Sequence, residues 1–392
     1  MKILQIMPSF VPSRFGGVSL FYNLSKNLVK RGHEVVVYTT DIKDRYSRLS
    51  DIRGVTDIDG IKVHYFRNVS NSLATEYRLS MPRGMLATVK RELRNFDIIH
   101  LHNVRTFHNI IVHHYARKYG IPYVLQAHGS LVTFFQKRWQ KRIFDVIWGQ
   151  RILRNAAKLL AVTSIEAEQY RNIGIGEDKI EVIPNGLELS EFDNLPGRGE
   201  FRRKYGLNDA QKVVLYLGRI HRTKGLDLLV RAFAEISKLS NNVKLVIIGP
   251  DDGYLPSLKK LVADLGIGSE VLLTGHLYGE DKVEAYVDAD VFVLSSVYEI
   301  FGITILEALA CGTPVIVTDR CGIADVVNGQ AGLVVSYDKD HLRDALRHML
   351  NDDKMRQQLG ERGKLLVREQ FNWTKIAEQM EGVYQAVLTQ RD

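Results

Sequence analysis

Cysteine is nearly missing from this chain of 392 residues: Cys311 and Cys321 are the only two, too few for a disulfide framework or a zinc pattern. Their scarcity fits a reducing cytoplasm. No run of about eighteen consecutive apolar residues occurs, so no transmembrane helix is expected. The opening MKILQIMPSFVPSRFGG has Lys2 and a short apolar run but no small-residue cleavage site, and it reads as a first strand rather than a signal peptide. No G-x-G-x-x-G follows that strand, so a dinucleotide fingerprint is missing. Acidic residues are scarce in one half only. Residues 1–195 hold 28 Lys and Arg against 18 Asp and Glu, a charge of +10; residues 196–392 hold 25 against 27, a charge of −2. The basic half is expected to meet something anionic, with nucleic acid, a lipid surface and a lipid phosphate as candidates.

What is present is ordinary for a folded, water-soluble chain: 45% hydrophobic and 25% charged residues, at a length that suggests two or three domains. The apolar segments follow a strand–helix–strand rhythm that predicts a parallel sheet. KILQIMPS (2–9), a helical pattern over 17–31 and HEVVVYTT (33–40) begin it. FDIIHLHN (96–103), PYVLQAHGS (122–130), KLLAVTS (158–164) and KIEVIPNG (179–186) continue it. The polar stretch up to Gly199 reads as a boundary. The rhythm then restarts at KVVLYLGR (212–219), VKLVIIGP (243–250) and EVLLTG (270–275), which implies two successive doubly wound domains.

One hairpin, GVTDIDGIKVHYFR (54–67), turns at Asp59-Gly60. Its Asp57-Ile-Asp59 matches a D-x-D metal motif, but it sits in a turn with no phosphate-binding neighbours and reads as structural. His100, His102, His108, His113 and His114 lie close in sequence without a ligand spacing, so core or cleft-lining roles are expected. His128 ends a strand, where ligands bind in open α/β sheets. A neutral imidazole there can hydrogen-bond a sugar hydroxyl or support charge on a leaving group.

The segment 136–157 (QKRWQKRIFDVIWGQRILRNAA) is amphipathic. At about 100° per residue, Trp139, Ile143, Val146, Ile147 and Leu153 share one side, expected to pack on the sheet. Lys137, Lys141, Phe144, Trp148 and Ile152 share the other, with Leu131, Phe134 and Phe135 as an extension. Cations interleaved with aromatics suit an anionic membrane surface; a helix buried on both sides with snorkelling lysines is the alternative.

The densest signal is VFVLSSVYEIFGITILEALACGTPVIVTD, from Val291 to Asp319. A buried strand leads into a loop with Glu299, then Gly302 and a helix opening at Ile303 and Thr304, with Glu307 one turn inside. The free N–H groups and positive dipole of such a helix start make an anion seat suited to phosphate. Glu307 is positioned to accept hydrogen bonds from ribose hydroxyls, and Glu299 from a sugar. Earlier, Gly218-Arg219-Ile-His-Arg-Thr-Lys224-Gly225 sets two cations where they can clamp a diphosphate as it gains charge. Arg222 lies between them.

Glu299 to Glu307 resembles the E-x7-E signature of retaining glycosyltransferases of the GT-B fold, the large group 1 (GT4-like) family. Gly16-Gly17, His128, Pro184-Asn185-Gly186, Arg219 with Lys224, and Glu299 with Glu307 follow in the family's order over essentially the whole chain. The resemblance implies two Rossmann-like domains facing a central cleft: an acceptor side (1–195 plus about 372–392, the last helix crossing back) and a donor side (196–371). It implies retaining transfer of a sugar from a nucleoside-diphosphate sugar, UDP- or GDP-linked, to a glycan or lipid-linked hydroxyl acceptor. His128, Glu299, Arg219 and Lys224 would be catalytic. Gly16, Gly17, Arg219, Lys224, Gly302, Ile303, Thr304 and Glu307 would bind the donor. No metal and no cofactor beyond the sugar nucleotide are expected, and the location would be cytoplasmic, peripheral on the inner membrane face. A nucleotide-sugar epimerase and a non-catalytic anion- or nucleic-acid-binding protein are the rivals. The E-x7-E loop argues against the first, and the lack of a nucleic-acid motif against the second.

Overall fold

A computed structural model describes residues 1–10, 17–43, 45–49, 54–77, 80–131, 138–240 and 242–390. Gly16, Phe134, Phe135 and Lys137 therefore lie outside the described residues. The chain forms two compact units, Met1–Gly186 with Trp373–Asp392, and Leu187–Asn372. The boundary falls at Gly186, earlier than the 195 expected from composition. Leu187 N–H already donates to the Phe371 carbonyl at 2.6 Å, which ties the polar stretch to the second unit.

The first unit holds eight strands: β1 (Lys2–Ile6), β2 (Glu34–Thr40), β3 (Val55–Ile58), β4 (Ile61–Phe66), β5 (Ile98–His102), β6 (Tyr123–Gln126), β7 (Lys158–Ala161) and β8 (Ile180–Val182). Their order is β3-β4-β2-β1-β5-β6-β7-β8, parallel throughout except for the β3–β4 hairpin. That hairpin turns through Asp59 and Gly60, both with positive φ, and Asp57 accepts the Gly60 N–H at 2.9 Å. Tyr22 donates to Asp59. Both aspartates are thus employed in holding a turn, as their sequence context suggests. The final helix, Trp373–Thr389, packs on the helix Gly17–Lys30 through Trp373, Ile376, Met380 and Tyr384. Tyr384 OH also meets the buried His100 Nδ1 at 2.7 Å.

The second unit holds β9 (Lys212–Leu217), β10 (Val243–Ile248), β11 (Val271–Gly275), β12 (Val291–Leu294), β13 (Val315–Thr318) and β14 (Gly332–Val335). The order β11-β10-β9-β12-β13-β14 is fully parallel, the doubly wound arrangement whose winding reverses between β9 and β12. In the first unit the reversal lies between β1 and β5. Strand cores are continuous apolar runs because both sheet faces are covered by helices.

The segment 138–155 departs from expectation. It is helical over Arg138–Phe144, π-helical over Asp145–Gly149, and α-helical again over Gln150–Asn155. Trp139 (66%), Ile143 (49%), Val146 (69%) and Ile147 (44%) are exposed rather than packed on the sheet. Ile152, assigned to the outer face, is fully buried beside Leu153. The wider π turn breaks the uniform angular step on which a helical wheel depends. Arg105 fixes that turn by gripping both Asp145 oxygens, at 2.8 and 2.7 Å.

Candidate active site

In the second unit, the loops after β9 and β12 meet at the winding reversal. After β9 the chain passes Gly218 and Arg219 and forms a short 3-10 turn, Arg222–Lys224, before the helix Leu226–Ser237. Lys224 thus closes a turn instead of opening the helix. Gly225 follows with φ +62, and a Cβ there would stand 1.9 Å from the Ser295 carbonyl oxygen. This backbone approach, available only to glycine, brings Lys224 against the β12 loop. Ser295 Oγ donates to the Gly225 carbonyl (2.9 Å), and Val297 N–H to that of Thr223 (2.9 Å).

Glu299 sits on the loop so anchored. Its N–H donates to the Arg320 carbonyl at 3.1 Å and its carbonyl accepts from Gly322 at 2.8 Å. Its carboxylate pairs with Lys224, and the two side chains are only 15% and 16% exposed. Arg219 behaves differently: it is largely exposed and pairs with Asp252. Gly302 caps the helix Ile303–Ala310 with φ 81 and no side chain over the first N–H groups of Ile303 and Thr304. A Cβ at Gly302 would stand 2.9 Å from Ile305 Cδ1, so this entry too is reserved for glycine.

Glu307 is not an unengaged carboxylate. Lys282 Nζ donates to one oxygen at 2.9 Å and Tyr286 OH to the other at 2.8 Å. Both partners come from the helix Gly279–Asp288, and sequence spacing held no signal that this helix faces Glu307.

In the first unit, Gly17 opens its helix directly after the undescribed Gly16. His128 follows β6 with φ 50, a left-handed backbone that is uncommon outside glycine, and Asn103 after β5 has φ 64. His128 Nε2 lies 3.0 Å from His102 Nδ1, and His102 Nε2 lies 3.3 Å from the Gln5 amide. Burial pushes His128 down to about 3 and holds His102 well below the ordinary imidazole range, so both are neutral. His102 is fully buried beside His128 and lines the same small hollow. The turn carrying His128 is pinned by a residue that sequence reasoning missed. Glu166 accepts from Gly129 N–H at 2.6 Å and Val162 N–H at 2.8 Å, and burial raises its carboxyl to about 7. The only sequence hint is its place in the first turn after the Thr163 cap. The Pro184-Asn185-Gly186 motif also gains a structural meaning: a Cβ on Gly186 would stand 2.6 Å from the Trp373 indole. Among the described residues, no group of three His, Cys, Asp or Glu side chains could hold a metal ion, and no helix is long and apolar enough to cross a membrane.

The fold agrees with solved structures of low sequence identity. The sucrose-phosphate synthase of Thermosynechococcus elongatus superposes with a TM-score of 0.79 at 22% identity, covering 99% of both chains. The HepE protein of Anabaena, solved with UDP and glucose, superposes with a TM-score of 0.76 at 18% identity, covering 98% of this chain and 100% of that one. These are GT-B glycosyltransferase structures and share the architecture. An uncharacterized glycosyltransferase of Methanocaldococcus jannaschii is 30% identical over 404 aligned positions, 99% of each chain. The family described as "Glycosyltransferase Family 4" matches residues 16–191, and "Glycosyl transferases group 1" matches 197–366. With both halves matched in order and a full-length relative at that identity, the chain belongs to the group 1 glycosyltransferases and is an enzyme of glycosyl transfer.

Proposed function

We propose that this enzyme moves a sugar from a UDP- or GDP-linked donor to a hydroxyl acceptor, lipid-linked or on a growing surface glycan, with retention at the anomeric carbon. The observation that carries this reading is the partly buried Lys224–Glu299 pair at the β9/β12 reversal, next to a glycine-capped helix start. A diphosphate entering there competes with Glu299 for Lys224 and meets the open N–H groups of Ile303 and Thr304. Freed from that ion pair, Glu299 accepts hydrogen bonds from sugar hydroxyls.

In the proposed reaction the acceptor oxygen attacks the anomeric carbon on the face from which the diphosphate leaves. The carbon–oxygen bond to phosphate breaks, and a diphosphate oxygen takes the acceptor's proton. Arg219 and Lys224 stabilise the negative charge that gathers on the leaving group. From the first unit, Gly16 and Gly17 are assigned to donor binding, and His128 offers its imidazole to a sugar hydroxyl. The two cations do the work that a metal does in other transferases, so chelation is expected to leave turnover unchanged.

A thermal-shift screen of UDP, GDP, ADP and their sugars tests the donor assignment, because a ligand bound to the native state raises its stability. Nucleotide release on acceptor addition is the expected result. Interconversion of sugar nucleotides without acceptor would make the protein an epimerase instead.

The exposed face Trp139, Ile143, Val146 and Ile147, flanked by the exposed Arg142, Arg151 and Arg154, favours docking on an anionic bilayer. Wild-type protein should sediment with anionic vesicles at low salt, and Val146→Glu should reduce this. No vesicle binding by the wild type would remove the membrane from the proposal.

A further inference from the structure

We infer that Gln5 and His102 are positioning residues that fix the proton of His128 on Nδ1, making it a neutral hydrogen-bond donor and not a general base. The inference rests on the proposed role of His128 toward the sugar, but its deciding readout, the tautomer, needs no turnover.

A buried line of polar groups crosses the winding reversal of the first unit, and its protons can be counted. Ser25 and Gln5 are fully buried, on the helix Gly17–Lys30 and on β1. Ser25 Oγ lies 2.8 Å from the Phe21 carbonyl and 3.1 Å from the Gln5 amide oxygen. A hydroxyl owns one proton and both neighbouring oxygens can only accept, so the shorter contact takes it: Ser25 donates to Phe21 and faces Gln5 as an acceptor. An amide oxygen opposite that acceptor has nothing to receive, while Gln5 Nε2 on the other side stands buried without a partner among the described residues. Turning the amide by half a rotation resolves both problems, because its NH2 then donates to Ser25 Oγ and to His102 Nε2. What remains unpaired is one carbonyl oxygen, which costs less than an NH2 with two stranded protons.

The rest follows along the line. With His102 Nε2 accepting, the proton of this neutral ring sits on Nδ1 and is donated to His128 Nε2, 3.0 Å away. His128 Nε2 is then an acceptor, and its own proton belongs to Nδ1. That nitrogen is buried and has no partner among the described residues. Trp373, whose indole N–H is also buried without a partner among the described residues, lines the same small hollow as His128. Two stranded donors beside one hollow suit a ligand that brings oxygen acceptors, as a sugar hydroxyl does. The stacking of His102 on His128 (ring centroids 5.3 Å apart) and the edge of Phe21 against His128 (5.1 Å) hold the ring in place.

Nitrogen-15 NMR of histidine-labelled protein reads the outcome, with the His128→Ala spectrum supplying the assignment. The expected result is a His128 ring protonated at Nδ1 with Nε2 bare, in the absence of any substrate. Gln5→Met, close in shape but without the amide, should mix or reverse that tautomer and lower kcat for nucleotide release by about tenfold, the loss of one directed hydrogen bond. His102→Leu should do the same, and His102→Asn, which keeps an N–H near the position of Nδ1, should recover part of the loss. A wild-type His128 protonated at Nε2 overturns the inference even if the variants fail to fold. So does a folded Gln5→Met protein whose His128 tautomer is unchanged. Lack of nucleotide release from every donor would instead sink the transferase reading and leave the tautomer result standing.

Discussion

The two units wind their sheets alike and use the reversal point differently. In the second unit the point is charged and already paired: Lys224 with Glu299, Lys282 with Glu307, Arg219 with Asp252. In the first it is neutral and incompletely paired, with His100 Nε2 and His128 Nδ1 buried without partners among the described residues. The same β-topology therefore supports two chemistries. In such an ion pair a phosphate can replace the carboxylate, so that the cation stays compensated while the released carboxylate turns to hydrogen-bond donors. Neutral stranded groups wait for oxygen or N–H partners, and they carry no charge that would attract a diphosphate. The net charges run the other way, with the first unit at +12 (30 Lys and Arg against 18 Asp and Glu) and the second at −4 (23 against 27). Overall charge thus describes the surface of each unit and not its site.

The sharpest way to break this contrast is Lys224→Ala. If the paired lysine is the diphosphate clamp, turnover should fall on the order of 10²–10³-fold while the fold survives. An ordinary turnover number would reduce Lys224 to a structural partner of Glu299.

A smaller effect is expected at Glu307→Ala. Loss of the ribose contact should weaken nucleoside-diphosphate binding by about tenfold in calorimetry, the cost of one hydrogen bond to a charged group. Undiminished affinity with a lowered melting temperature would assign Glu307 solely to holding Lys282 and Tyr286.

In the neutral unit the corresponding probe is pH. Glu166 is raised by burial from its ordinary 4.5 to about 7, despite two backbone N–H groups that favour its ionised form. An acid raised on folding contributes fully below its unfolded value and loses that contribution as pH rises through its folded value. The melting temperature should therefore decline between about pH 4.5 and 7, by an amount worth roughly 3 kcal/mol of stability, and Glu166→Gln should flatten that segment. A profile that Glu166→Gln leaves unaltered would refute the titration.

Least in magnitude is Arg219→Ala. Exposed and paired only with Asp252, it should lower turnover about tenfold or less, well below Lys224. Equal losses at both positions would show that exposure is no guide to their shares in the clamp.

The elements of both sheets were legible in the sequence because buried parallel strands are unbroken apolar runs punctuated by glycine. The placing of Glu299, Gly302 and Glu307 on loop, cap and helix was legible because those three are contiguous in the chain, whereas Lys224 reaches Glu299 across 75 residues. The partners were not. Lys282 and Tyr286 reach Glu307 from another helix, Glu166 reaches Gly129 across 37 residues, and Gln5 reaches His102 across 97. Such pairings arise from sheet order and carry no local spacing. The helix after residue 137 failed for a related reason. A wheel assumes one angular step, and Asp145, held by Arg105 from 40 residues away, imposes another.

By itself, the sequence determined that the chain would build two doubly wound units and where each turn would need glycine, since periodicity and φ are local properties. Only the tertiary structure decided which charges compensate one another and which polar atoms remain stranded. Those depend on which strand ends the winding brings side by side, and that is a property of the whole sheet.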